Sequence, residues 1–214
     1  MTSRTRILIA DDHTLVAELC RTLLEPEFDV IGTVNDGRAM ISVAVESKPD
    51  VILLDVAMPI LNGLDAGQQV KQLLPCVKLI YITMSSDPEL AAEAFARGAS
   101  GYLMKTCEPE EIKLAVREAL RGKTYLSKDL SRDAIDCLRW EHKKRVNDQE
   151  HLTDRQREVL QLLAEGKPMK EISAILNVAE CTVAYHKYRI MGAVGARTNA
   201  ELFKFAVRNH MIRA

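Results

Sequence analysis

At 214 residues the chain has room for one large domain or two ordinary ones, and 47% hydrophobic with 28% charged residues is the balance of a globular protein. No apolar run reaches the roughly 20 residues needed to cross a bilayer, which excludes a membrane-spanning helix. The net charge of −1 hides an asymmetry: residues 1–150 carry 24 acidic against 19 basic residues, whereas residues 151–214 carry 6 against 10, so the two parts are expected to meet different partners.

The chain enters its first apolar segment directly after Met1-Thr2-Ser3-Arg4, so no secretory signal is expected. Up to about residue 121, strand-like runs alternate with amphipathic helical patterns. The predicted strands are Arg6–Ala10, Val30–Val34, Val51–Asp55, Val77–Thr83 and Ser100–Met104. The predicted helices between them are Thr14–Leu24, Gly37–Ser47, Leu64–Leu74, Pro88–Arg97 and Glu108–Leu120. Several of the runs lack polar alternation, as in a parallel sheet buried on both faces. This alternation predicts an α/β fold with a doubly wound, five-stranded parallel sheet.

Residues 123–150 change character and read as a linker, compatible with helix from Asp129 onward; the run Glu141-His142-Lys143-Lys144-Arg145 fits a solvated face. From residue 151 to 214 the pattern is wholly helical. Thr153 is placed to cap a helix over Asp154–Glu165, ended by Gly166. Pro168 opens a second helix reaching Leu176, a third spans about Ala179–Val194 before Gly195, and Thr198 caps a fourth ending near Asn209. A small all-α, four-helix domain is expected. The five cysteines, Cys20, Cys76, Cys107, Cys137 and Cys181, are scattered and form no CxxC pair. Reduced thiols in a cytoplasmic protein are therefore expected, not a disulfide framework or a zinc site.

Chemistry gathers where the strands of the first part end. Asp11 and Asp12 follow the first strand, Asp55 ends the third, Thr83 the fourth, and Lys105 follows the fifth. In a parallel sheet these ends share one edge, the edge that carries sites in such folds. Clustered carboxylates repel unless a cation neutralises them, and an oxygen-rich set with few protein ligands suits Mg2+. A hydroxyl and an ammonium beside them complete a phosphoryl-transfer site in which Asp55 is the nucleophile. Each residue also has a plainer reading: Asp11 and Asp12 as helix caps, Asp55 as a loop-binding carboxylate, Thr83 as a β residue and Lys105 as a surface lysine. Their joint appearance at successive strand ends favours the chemical reading.

The segments Ile7-Leu8-Ile9-Ala10-Asp11-Asp12-His13, Leu53-Leu54-Asp55-Val56-Ala57-Met58-Pro59 with Asn62-Gly63, and Gly98-Ala99-Ser100-Gly101-Tyr102-Leu103-Met104-Lys105 closely resemble the receiver domain of two-component regulators, over residues 4–122. The resemblance implies a flavodoxin-like receiver in which Asp11, Asp12, Asp55 and the Val56 carbonyl bind Mg2+. It further implies that Asp55 takes a phosphoryl group from a sensor histidine kinase, that Lys105 and Thr83 engage its oxygens, and that Tyr102 reorients with Thr83. Two positions depart from common receivers: Thr106 stands where proline often follows the lysine, and Ala57 and Ser85, which influence phosphate lifetime in receivers, are small.

The second part is similar to the LuxR-type helix-turn-helix in Leu152-Thr153-Asp154-Arg155-Gln156-Arg157-Glu158-Val159-Leu160, Leu163-Ala164-Glu165-Gly166-Lys167, Lys170-Glu171-Ile172, Leu176-Asn177-Val178 and Thr182-Val183 with His186. Together the halves resemble the NarL/FixJ response regulators, which implies a phosphorylation-controlled transcription regulator, not an enzyme. The implied partners are double-stranded DNA and, once phosphorylated, a second copy of the chain. Within the third helix Val183, Ile190 and Val194 share one face and are expected to pack inward. Lys170, Thr182, Lys187 and Arg189 are then candidate phosphate contacts, and Ala184, Tyr185 and Tyr188 candidate base readers. The plainer reading packs the two tyrosines against neighbouring helices.

Ala179 replaces the usual Ser/Thr cap, Ala193 replaces a basic residue, and Gly192 lies within the helix, so fraying near its carboxyl end is expected. These losses keep open an alternative, a phospho-signalling adaptor using the helix-turn-helix for protein contacts. A hydrolase using Asp55 is disfavoured, because no glycine-rich phosphate loop accompanies the carboxylates.

Overall fold

The computed structural model describes residues 4–128, 130 and 152–212. The first domain contains β1 (Arg6–Ala10), α1 (Thr14–Leu24), β2 (Asp29–Val34), α2 (Gly37–Ser47), β3 (Val51–Asp55), α3 (Gly63–Leu73), β4 (Lys78–Thr83), α4 (Pro88–Ala96), β5 (Gly101–Met104), α5 (Pro109–Leu120) and β6 (Tyr125–Leu126). The strands form one parallel sheet in the order β2-β1-β3-β4-β5-β6. The expected five-stranded sheet thus gains a sixth strand within the stretch read as a linker. Tyr125–Leu126 is too short to show a period, and its pairing with Gly101 and Tyr102 is a tertiary effect. The reading of helix from Asp129 onward falls on residues outside those described, apart from Leu130.

Both sheet faces are buried, which is why the strands look uniformly apolar. Leu8, Ile52, Leu54, Leu79 and Tyr81 pack on the face that carries α2, α3 and α4. Ile7, Ile9, Leu53, Ile80 and Leu103 pack on the face that carries α1 and α5. The strand order reverses between β1 and β3, and the crevice beyond their carboxyl ends is where such sheets build sites.

The second domain holds α6 (Asp154–Ala164), α7 (Met169–Leu176), α8 (Glu180–Val194) and α9 (Asn199–Arg208). Thr153 caps α6 as expected, in a reciprocal box with Gln156, and Thr198 caps α9 by accepting from the Glu201 N–H. Val159, Leu160, Ile172, Val183, Ile190 and Leu202 form its core. Ala179 makes no side-chain cap bond. At its other end α8 runs helical to Val194. Gly195 adopts a left-handed φ of 68°, and the Ala196 N–H closes onto the Met191 carbonyl, so the last turn is held.

Gly192 lies on the exposed side of α8, where an added Cβ meets nothing within 4 Å. Gly192→Ala should therefore stabilise the domain by about 1 kcal/mol. Ala179→Ser should add about 1 kcal/mol through the missing cap. The sites lie at opposite ends of one helix, so the gains should add. Urea melting of the two single variants and the double variant checks this.

The domains meet along a buried polar seam. The Gln161 amide oxygen accepts from the Asn62 N–H at 2.7 Å, and its Nε2 donates to the Met58 carbonyl at 3.0 Å. Arg157 Nε donates to Asp65 Oδ1 at 2.7 Å, and Glu158 takes Arg38 and Gln69, each at 3.1 Å. Ile60 packs against the core of the second domain, and its N–H donates to Glu165.

A candidate phosphoryl-transfer site and a candidate nucleic-acid interface

β1 delivers Asp11 and β3 delivers Asp55 on either side of the strand-order reversal, and both carboxylates are buried. Lys105, just past β5, reaches back between them. Its ammonium lies 2.9 Å from Asp55 Oδ2, 3.0 Å from Asp11 Oδ1 and 2.7 Å from Asp11 Oδ2. The Lys105 N–H donates to the Thr83 carbonyl at 2.7 Å, which fixes the lysine to the end of β4. Thr83 is buried, and its Oγ1 accepts from the Ser85 N–H at 3.2 Å. Tyr102 is also buried, with its hydroxyl donating to the Ser85 carbonyl at 3.3 Å. Burial, reinforced by Asp87 and Asp55, raises its phenol well above the usual tyrosine range, so the ring is neutral.

The structure thus brings Asp11, Asp55, Thr83 and Lys105 to one edge, with Asp12 beside them and Tyr102 one layer behind. The Val56 carbonyl accepts the Gly63 N–H at 2.7 Å, leaving it one further lone pair. No described peptide bond is cis, including the one joining Lys105 to Thr106.

His13 is a member of this cluster that residue-type reasoning passed over. Its Nδ1 lies 2.8 Å from Asp12 Oδ1 and 3.2 Å from Asp11 Oδ1. One ligand atom each from Asp11, Asp12, His13 and Asp55 falls within 4.8 Å of the others. Three carboxylates faced by a single ammonium leave an excess of negative charge, so a cation fits the cluster. A second omission is Asp65, whose burial is concealed in an ordinary helical pattern. Burial alone would raise its pKa, but Arg157 and Arg97 outweigh that and hold it below the usual carboxylate range.

The candidate DNA-facing residues sit on α7 and α8. Val183 and Ile190 are fully buried as expected, whereas Val194 is half-buried. Tyr185 and Tyr188 are 60% and 75% exposed, which removes the reading that packs them against neighbouring helices. Lys170 and Arg189 are exposed, and Thr182, Ala184 and Lys187 are half-buried. Gly192 and Ala193 are exposed without offering a charge.

No helix among the described residues is long and apolar enough to cross a membrane. Residues 7–117 match the response regulator receiver domain family, and residues 150–206 match the bacterial regulatory proteins of the luxR family. The transcriptional regulatory protein LiaR of Bacillus subtilis (strain 168) is 34% identical over 209 residues, covering 97% of this chain and 99% of that protein. The nitrate/nitrite response regulator protein NarL of Escherichia coli (strain K12) is 32% identical over 197 residues, with 91% of each chain covered. Among solved structures, the RcsB response regulator of Salmonella typhimurium matches in fold with a TM-score of 0.61 at 22% identity, covering 99% of this chain and all of that one. The chain belongs to the response regulators that join a receiver to a LuxR-type DNA-binding domain, phosphorylation-controlled transcription regulators and not enzymes.

Proposed function

We propose that Asp55 is the phosphoacceptor, that a sensor histidine kinase is the donor, and that phosphorylation governs binding of the second domain to duplex DNA in the cytoplasm. The observation that carries this reading is the Lys105 ammonium shared between the buried Asp11 and Asp55 carboxylates at the strand-order reversal. The receiver runs from residue 4 through β6, a linker follows, and the DNA-binding domain begins near residue 151.

Mg2+ is the cation that the oxygen-rich donor set fits, held by Asp11, Asp12, Asp55 and the Val56 carbonyl; it would neutralise carboxylate and phosphoryl charge together. An Asp55 oxygen attacks the phosphorus of the kinase's phosphohistidine, the P–N bond breaks and the imidazole leaves, and the acyl phosphate brings roughly −1.5 to −2 charge. Lys105 then exchanges a carboxylate partner for a phosphoryl oxygen. Thr83, whose hydroxyl oxygen now accepts from Ser85, has a proton to donate to another. Drawing Thr83 inward frees space for Tyr102 to follow, which biases the α4–β5 surface.

On the DNA side, Lys170, Lys187 and Arg189 supply phosphate contacts with help from Thr182. The exposure of Tyr185 and Tyr188 supports them as base readers alongside Ala184. The phosphorylated form works as a homodimer.

Fluorescence anisotropy with selected duplexes, across a salt series and with or without phosphoramidate and Mg2+, tests the reading. Affinity should rise with the phosphodonor in the wild type and stay flat in Asp55→Asn. Three cationic contacts per chain predict a slope of log K against log salt of about −3 per chain. Phosphate uptake without salt-dependent DNA binding would overturn the DNA half of the proposal.

A further inference from the structure

His13 immediately precedes α1, with φ −93° and ψ 99°, the extended backbone of an N-cap. Its side chain nevertheless makes no cap bond to the helix. The ring turns toward the strand ends, where Nδ1 lies 2.8 Å from Asp12 Oδ1 and 3.2 Å from Asp11 Oδ1. Two bonds fix the backbone beneath the ring. The His13 N–H donates to Asp11 Oδ1 at 2.9 Å, and the His13 carbonyl accepts from the Ala17 N–H at 3.1 Å.

Those side-chain distances are the spacing of neighbouring ligands around one ion. Donors bonded at about 2.1 Å and at right angles lie about 3.0 Å from each other, and opposed donors about 4.2 Å. One donor atom from each of Asp11, Asp12, His13 and Asp55 lies within 4.8 Å of the others, so small side-chain rotations bring all four onto a single centre. Charge points the same way. Asp11 is buried, and its Oδ2 accepts no hydrogen bond among the described residues, although the Lys105 ammonium is 2.7 Å away.

We infer that His13 is the nitrogen ligand of this site and sets its choice of ion. The inference rests on the reading of the strand-end carboxylates as a cation site. Carboxylate and carbonyl oxygens alone suit Mg2+. An imidazole suits the later first-row ions, from Fe2+ to Zn2+, whose affinity for nitrogen and oxygen donors is the higher. In the tautomer protonated at Nε2, Nδ1 keeps a lone pair for an ion held by the two aspartates. About half of the His13 side chain is exposed, so the ring can take up a ligand without first leaving a core. Mg2+ gains little from that nitrogen. A site that would otherwise follow abundant Mg2+ thereby also answers to a scarce transition ion that competes for the same aspartates.

Calorimetric titration of the full chain with Co2+ and, separately, with Mg2+ tests this in wild type, His13→Ala and His13→Gln. Glutamine keeps a polar side chain but lacks an aromatic nitrogen. Both variants should lose at least about tenfold in Co2+ affinity and hold Mg2+ affinity within about twofold of wild type. Proton NMR supplies a readout independent of affinity. With Co2+ bound, wild type should show a strongly shifted, exchangeable ring N–H resonance that is lost in D2O and in both variants. Equal Co2+ affinity in all three chains overturns the assignment of His13 and leaves the aspartates as an Mg2+ site. Equal losses for Co2+ and Mg2+ also overturn it, since His13 would then only position Asp11 and Asp12. Saturable binding of neither ion by wild type overturns the cation site itself.

Discussion

Asp65→Ala should lower the unfolding free energy by about 3–5 kcal/mol, the range for removing one partner of a buried ion pair. Arg97 and Arg157 both point at Asp65 Oδ1, and the Arg97 side chain is largely buried. Without the carboxylate, Arg97 keeps Glu93, at 2.6 Å, as its one acidic partner among the described residues, and Arg157 is left in the domain seam. Arg157→Ala should cost much less, because Arg97 remains to neutralise Asp65. Urea titration of both variants gives the comparison.

The acid response of the wild type follows from the same group. The carboxyl of Asp65 is held below its ordinary value of 3.8, so the folded state binds its proton less readily than the unfolded chain does. Its contribution is fully present above that value and is lost as pH falls through the lower folded pKa. The stability gap between wild type and Asp65→Ala should therefore stay constant from neutral pH down to about 5 and narrow only below about 4. A gap that narrowed near neutrality would assign it to another group.

Gly63→Ala should cost about 3 kcal/mol, the upper end for overpacking, and should depress phosphate uptake by up to about a hundredfold. A Cβ at Gly63 would lie 1.9 Å from the Asp55 carbonyl oxygen and 3.0 Å from the Val56 Cα. Both are backbone atoms of the phosphoacceptor segment, so relief requires moving Asp55 itself. The N–H of Gly63 also holds the Val56 carbonyl, so α3 is pressed against the strand end from which the site projects. Opposite signs are thus expected for Gly63→Ala and Gly192→Ala, which separates close approach from intrinsic helix preference. Denaturant melts and phosphoramidate uptake measured on the two variants side by side provide the check.

The sheet was legible because a parallel sheet covered on both sides requires apolar runs, and β1, β3 and β4 supply them. The hidden period of two, with Ile52 and Leu54 facing one layer and Val51 and Leu53 the other, emerges only once the helices are in place. The residues of the site were legible for a related reason: Asp11, Asp55, Thr83 and Lys105 each stand at a strand end, and topology converts that position into proximity. Relations between distant segments were not legible. Asp65 sits in a helix whose pattern suits a surface position, and its burial is created by Arg97 and by Arg157, 92 residues away in sequence. Asn62 was visible beside Gly63 in a motif, yet its contact with Gln161 depends on how two domains meet. His13 stood in a motif beside two aspartates without a role of its own, whereas its ring faces both carboxylates. Ile60 gave no signal at all, since a left-handed φ runs against the local preference of isoleucine, and its seat against the second domain's core depends on how the domains meet.

Asn62 also limits how freely the two halves can be recombined. Its Oδ1 caps α3 through the Asp65 N–H, its N–H is given to Gln161, and its Nδ2 is shared between Gln161 and Asp65 Oδ2. One side chain thereby serves a requirement internal to the receiver and another imposed from outside it. A hybrid that joins this receiver to a foreign output module would retain the cap and the Nδ2 bond to Asp65 but orphan the buried Asn62 N–H unless the incoming helix presented an acceptor at the place of Gln161. Compatibility between the halves of this chain is therefore written at a few facing positions, Asn62 and Gln161 foremost.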